Sequence, residues 1–232
     1  MRRLALLLLA APLLMAPSYP EKVLTVMVID TGVDGKIPAL RKYIPDHIKD
    51  SKHAKDAHGH GTHVFGVIAA KACPQVKLIP CRAFPPEALD KNNKSRANLL
   101  HACFRMAVKL KVDIVNFSGG RESYDSEEHA LVKQMNANKT ILVTAAGNEA
   151  NSMKEIPYYP AAYQESNVVA VGSLNARKPA RTSNYGKKGM VWEQGTNIYS
   201  FAPGGKKVYM SGTSMATAQH TAKLVEFFCK MK

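Results

Sequence analysis

Five short apolar runs rich in β-branched residues, at 23–29, 76–83, 112–117, 141–145 and 168–171, constrain this chain more than any other feature. None alternates strictly between apolar and polar residues, as a strand wetted on one side would, so each reads as a strand buried on both faces. Stretches with helical length and spacing lie at 62–72, 95–110 and 126–138, with Ser95 and Ser126 placed to cap the last two. Buried strands separated by helices imply a parallel sheet joined by right-handed crossovers. The expected fold class is therefore α/β, in three layers, with a mostly parallel central sheet and helices on both faces. Sites in such sheets gather at the carboxyl ends of the strands.

Asp30 stands at the first of those ends and opens the turn Asp30-Thr31-Gly32-Val33-Asp34. Asp-Thr-Gly also occurs in aspartic proteases, but they need a second catalytic Asp from a similar lobe or partner, and no second copy is present. The next cluster is His58-Gly59-His60-Gly61-Thr62-His63, with Asp56 just before it and an apolar helical run just after. A metal site built on His58, His60 and His63, with Asp56 in support, is one interpretation. Against it, the glycines break the i, i+4 presentation by which a helix aims two imidazoles at one ion, and no Glu lies between the histidines. His60 sits at the helix entrance, whereas His53 and His58 read as loop histidines facing solvent. In the third cluster, residues 211–218, a glycine turn runs into an apolar helix that begins at Ser214. Unpaired N–H groups and the positive dipole end of a helix suit a nucleophile that must create an oxyanion. The plainer interpretation is a helix cap by Thr213 or Ser214.

In order, Asp30, His60 and Ser214 supply an acid, a base and a nucleophile, and here the chain resembles the subtilisin family of serine proteases. The resemblance runs from about residue 23 to 228 and rests on four segments: Val28-Ile29-Asp30-Thr31-Gly32-Val33, His60-Gly61-Thr62-His63-Val64-Phe65-Gly66, Thr144-Ala145-Ala146-Gly147-Asn148-Glu149 and Gly212-Thr213-Ser214-Met215-Ala216. It implies an endopeptidase acting on proteins or peptides. Ser214 would attack, His60 would carry the proton, Asp30 would orient His60, and Asn148 would complete the oxyanion hole. Asn116-Phe117-Ser118-Gly119-Gly120 resembles the strand that pairs with extended substrate, although it looks one residue short. Ser118, Gly119 and Gly120 on one side and Ala145, Ala146 and Gly147 on the other would wall the primary pocket, with Glu149 at its rim. Small walls with one acid at the mouth imply broad acceptance of large apolar or aromatic residues before the cleaved bond, with Lys or Arg also tolerated.

The chain also departs from the family pattern. Thr217-Ala218-Gln219-His220 stands where relatives usually carry a proline and then a histidine, and the chain stops soon after that helix. These departures keep a different class open, a non-catalytic protein-binding module on the same fold. No cofactor and no metal are expected. The calcium ligand that relatives carry after Pro38 is replaced by Ala39, and residues 73–75 leave no ligand loop before the next strand.

Composition bounds the rest. Arg2 and Arg3 precede an apolar run at 4–15 broken by Pro12, which reads as a secretory signal over residues 1–18 followed by one peptidase domain over 19–232. The expected location is secreted or periplasmic, without stable membrane insertion after cleavage. Only residues 19–22 separate that signal from the first strand, so folding without a covalent propeptide is expected. The net charge of +14 comes from dispersed lysines with no aromatic interleaving, which points to a solvated surface rather than nucleic-acid binding. A monomer is expected. Cys73, Cys81, Cys103 and Cys229 allow two disulfides in three connectivities, although Cys81 and Cys103 also suit a core as free thiols.

Overall fold

The computed structural model describes residues 23–85 and 93–231. The expected signal segment, 1–18, and the Ser95 side chain lie outside the described residues. In chain order the elements are β1 (Leu24–Asp30), α1 (Pro38–Arg41), α2 (His60–Ala69), β2 (Val76–Arg82), α3 (Asn93–Leu110), β3 (Ile114–Phe117), α4 (Ser126–Ala137), β4 (Ile141–Ala145), β5 (Val168–Asn175), β6 (Lys178–Pro179), β7 (Val191–Gln194), β8 (Ile198–Phe201), β9 (Lys207–Met210) and α5 (Thr213–Lys230). Strands β2, β1, β3, β4 and β5 lie side by side in that order, all parallel, and β7 extends the parallel set beyond β5. The short β6 pairs antiparallel with β5. A separate antiparallel ribbon joins β8 to β9.

This order explains which helices meet. The β1–α2–β2 crossover steps one way along the sheet, while β2–α3–β3 and β3–α4–β4 step the other way. Right-handed connections must then put α2 on one face and α3 with α4 on the other. The contacts agree, since α2 packs on α5 and α3 packs on α4. Thus the two helices that begin at His60 and Thr213 share one face. The reversal of direction falls between β1 and β3, the switch point at which open α/β sheets place their sites.

The core follows from the same layering. Met27, Ile29, Leu78, Leu142, Phe65, Phe104 and Phe117 are fully buried. Phe104 meets Phe117 edge-on at 5.7 Å, and Phe84 stacks with the Phe117 ring at 6.1 Å. Both disulfides pin helices to this body. Cys73–Cys229 ties the chain just after α2 to the last turn of α5, and Cys81–Cys103 ties β2 to α3. The connectivity left open by the sequence is therefore fixed, and no free cysteine remains among the described residues. Ser126 is the first residue of α4 rather than its cap. That role belongs to Asp125, whose carboxylate accepts from Glu128 N–H at 2.9 Å.

Candidate active site

Asp30 ends β1, and its carboxylate meets the imidazole of His60 at the mouth of α2, with Oδ1 to Nδ1 at 2.7 Å. The Asp30 side chain is only 4% exposed and that of His60 is 26% exposed. The adjacent carboxylate holds the imidazole pKa above the ordinary histidine value, against the opposing effect of burial. Glycine permits this approach. A Cβ on Gly61 would lie 2.1 Å from the Gly32 carbonyl oxygen, so the Asp30 turn and the start of α2 close on each other only because that atom is missing. Thr31 stitches the same junction, its Oγ1 accepting from Gly61 N–H at 2.9 Å and donating to Asp56 at 3.0 Å.

Asp56 is the residue here whose role the sequence left obscure. Its Oδ1 accepts from the N–H groups of His58 and Gly59 as well as Thr31, and its Oδ2 accepts from the N–H and hydroxyl of Thr62. Burial works to raise its pKa, but these bonds outweigh burial and hold the carboxyl below its usual range. Both oxygens thus bind the loop and first turn of α2. The remaining histidines do not gather around it. His58 is exposed, and buried His63 bonds through Nε2 to the Ile198 carbonyl at 2.9 Å. No group of three or more possible metal ligands exists among the described residues.

Ser214 arrives from the other side, as the second residue of α5. Gly212 caps that helix at φ 142°, and its N–H bonds to the Gly195 carbonyl at 2.8 Å. Asn148 Oδ1 accepts from both Thr213 N–H, at 2.9 Å, and Thr213 Oγ1, at 3.1 Å. A backbone N–H only donates, so the amide oxygen must face α5 and Nδ2 is left without a protein partner among the described residues. The N–H of Ser214, in the first turn, likewise has no place in the helical ladder. Ser214 Oγ donates to the Ser118 carbonyl at 3.0 Å rather than to His60. Ser118 Oγ in turn donates to the Ser214 carbonyl at 3.0 Å and accepts from Asn116 Nδ2, and Asn116 Oδ1 accepts from Thr221 about two turns further along α5. The departure noted in this helix is accommodated here. Buried Thr217 bonds back to the Thr213 carbonyl, and His220 faces the Glu193 carboxylate at 3.1 Å.

The expected pocket walls follow adjacent parallel strands, since Phe117 of β3 is paired with Thr144 of β4. Ala145, Ala146, Gly147 and Ser118 are buried, and Gly119 and Gly120 are half-buried. Gly119 rests on the Phe117 ring, whereas a Cβ on Gly120 would lie 2.3 Å from Cε1 of Tyr158. Glu149 is not a free rim charge, because Asn184 Nδ2 donates to its Oε2 at 2.7 Å. Asn184, which no sequence motif singled out, organises this loop. Its side chain also bonds to Ala146 O, Glu149 N–H and Asn151 N–H, and its backbone N–H bonds to Gly147 O.

Comparison with known proteins returns one family. The Peptidase S8 subtilase family matches residues 21–226. The chain is 33% identical over 210 residues to an intracellular serine protease of Paenibacillus polymyxa, covering 83% of this chain and 62% of that protein. It is 34% identical over 224 residues to the major intracellular serine protease of Bacillus subtilis, covering 89% of this chain and 68% of the relative. Among solved structures, a mutant of the protease domain of PatA aligns with a TM-score of 0.70 at 24% identity, over 90% of this chain and 80% of that one.

Proposed function

We propose a serine endopeptidase, and the premise is the family, since this chain belongs to the subtilases. The observation that carries the proposal is the 2.7 Å contact of Asp30 with His60 Nδ1, facing a helix whose second residue is Ser214 and whose first is tethered to Asn148. Because Asp30 accepts at Nδ1, that nitrogen carries the proton and Nε2 keeps its lone pair. Ser214 Oγ attacks the scissile carbonyl carbon as its proton passes to His60 Nε2. The carbonyl oxygen becomes an oxyanion, to which Asn148 Nδ2 and the Ser214 N–H donate. His60 then gives its proton to the leaving amine, and water repeats the sequence on the acyl-enzyme to release the acid and regenerate Ser214. The Ser118 carbonyl, which holds Ser214 Oγ in the free protein, is an acceptor that an extended substrate's N–H would take over, releasing the hydroxyl toward His60. Hydrolysis of an unfolded protein substrate tests this assignment. The parent should cleave it, and Ser214→Ala should lower kcat by about a million-fold, the loss measured for the nucleophile of subtilisin itself.

The same proposal includes export, with a signal over 1–18 and the peptidase domain over 19–232. Its support is the basic and apolar leader together with two disulfides, which persist in oxidising compartments and are rare in reducing ones. The two bacterial relatives are named as intracellular, so location separates this chain from them. N-terminal sequencing of the protein purified from its host should read from Tyr19, whereas an intact Met1 in a cytoplasmic fraction would contradict export.

A further inference from the structure

Small residues on both sides of a pocket leave a slot, and the side chain that enters that slot decides what a substrate finds there. Tyr158 is half-buried and touches both sides. Its ring edge lies against Gly120, closely enough that a Cβ there would come within 2.3 Å of Cε1 and 2.9 Å of Cδ1. It also packs on the small cluster of Ala146, Met153, Ala161 and Ala170, of which Ala146 belongs to the opposite wall. Burial comes first, and the Glu149 and Glu122 carboxylates second, in pushing its hydroxyl up to about 12, so the ring is a neutral wall at any pH at which a peptidase of this kind works.

We infer that Tyr158 is the specificity-determining residue of this cleft, its ring filling the slot between Gly120 and the Ala146 cluster so that peptides are cleaved after small residues such as Gly, Ala or Ser. This rests on the endopeptidase assignment and reverses the preference for large side chains that the wall residues alone imply. With the ring in place, Phe, Leu, Lys and Arg have no depth to enter. Each methylene that a pocket cannot accommodate typically costs 10-fold or more in discrimination, so exclusion of a whole aromatic ring needs no charge.

The test is a peptide-library digest by the parent, Tyr158→Ala and Tyr158→Phe, alongside labelling of each by a fluorophosphonate. The parent should favour Ala over Phe before the cleaved bond by at least about 10-fold in kcat/KM. Tyr158→Ala should reverse or erase that ratio while remaining labelled, and Tyr158→Phe, which keeps the ring and its packing, should retain it. A merely structural role for Tyr158 would lower yield or melting temperature in the Ala variant without moving the ratio. A parent that is labelled yet cleaves after Phe or Leu as readily as after Ala overturns the inference even if the Ala variant does not fold, and leaves the nucleophile assignment standing. A folded parent that is not labelled overturns both.

Discussion

The two sides of the candidate site are built differently. On the Asp30–His60 side the side chains that position the imidazole are bonded to one another and to the backbone. The carboxylate of Asp30 takes the imidazole and the Thr31 N–H, Thr31 reaches Gly61 and Asp56, and Asp56 accepts four further bonds from the loop and first turn of α2. On the Ser214–Asn148 side the groups that would face substrate are left unspent. Asn148 Nδ2 has no protein partner among the described residues, and Ser214 Oγ rests on a carbonyl away from His60. The contrast teaches that preorganisation is concentrated where a proton must be held in one tautomer. Donors that meet a developing charge must instead be oriented but unoccupied, and the bonds at Asn148 Oδ1 provide that orientation.

The sharpest way to break the wired side is Asp30→Asn, which should lower kcat by roughly 10,000-fold, the size found for the same change in another serine-protease triad. The parent should also lose kcat/KM as the pH falls through a value above the ordinary 6.5, because Asp30 stabilises the protonated imidazole and only the neutral form accepts the serine proton. In Asp30→Asn that acid limb should move to lower pH, and an unmoved limb would assign it to another group. On the open side, Asn148→Ala should cost roughly 100 to 1,000-fold in kcat with KM nearly unchanged, the range known for such a donor in subtilisin. A matching rise in KM would mean that Asn148 binds the ground state instead.

Asp56→Ala separates support from chemistry. Removing the acceptor for the start of α2 should destabilise the fold by about 1–3 kcal/mol in urea unfolding. Because the Asp56 carboxyl is held below its ordinary 3.8 in the folded state, its contribution is fully present at neutral pH and is lost as the pH falls through that depressed value. The variant should therefore show a shallower loss of stability in acid. Glu149→Gln should do least. With Oε2 held by Asn184 and the slot filled by Tyr158, the ratio of cleavage after Lys to cleavage after Phe should change by no more than about fivefold in a library digest. A larger drop would return Glu149 to the pocket.

The same contrast governs what the sequence discloses. Strands β1 to β5 are legible because burial on both faces leaves unbroken apolar runs. Strand β7 is not, since Val191-Trp192-Glu193-Gln194 carries a carboxylate whose partners, His220 and Lys223, come from α5. The β8–β9 ribbon is hidden for a related reason, because its exposed Tyr199 and Tyr209 mix with polar residues over only four residues per strand. Within the candidate site, Asp30, His60, Asn148 and Ser214 lie in local signatures, so their places at strand and helix ends are legible. Asn184 acts through backbone groups more than 30 residues away, and Asp56 joins its own loop to Thr31 and Thr62, so their neighbours in sequence do not reveal the full set of groups they hold. The Cys73–Cys229 pairing is closed to sequence in the same way, because it depends on α2 and α5 sharing a face across 156 residues.

The central claim is that Ser214 is a nucleophile activated by the Asp30–His60 pair and merely parked on the Ser118 carbonyl in the free protein. The most direct measurement is the rate of covalent labelling by a fluorophosphonate in the folded parent, Ser214→Ala and His60→Ala, read as an intact-mass increment. The account predicts one adduct per parent chain, located on Ser214 by peptide mapping, none on Ser214→Ala, and labelling of His60→Ala slowed by at least about 1,000-fold. An adduct that persists in Ser214→Ala, or a folded parent that takes up none, would contradict it.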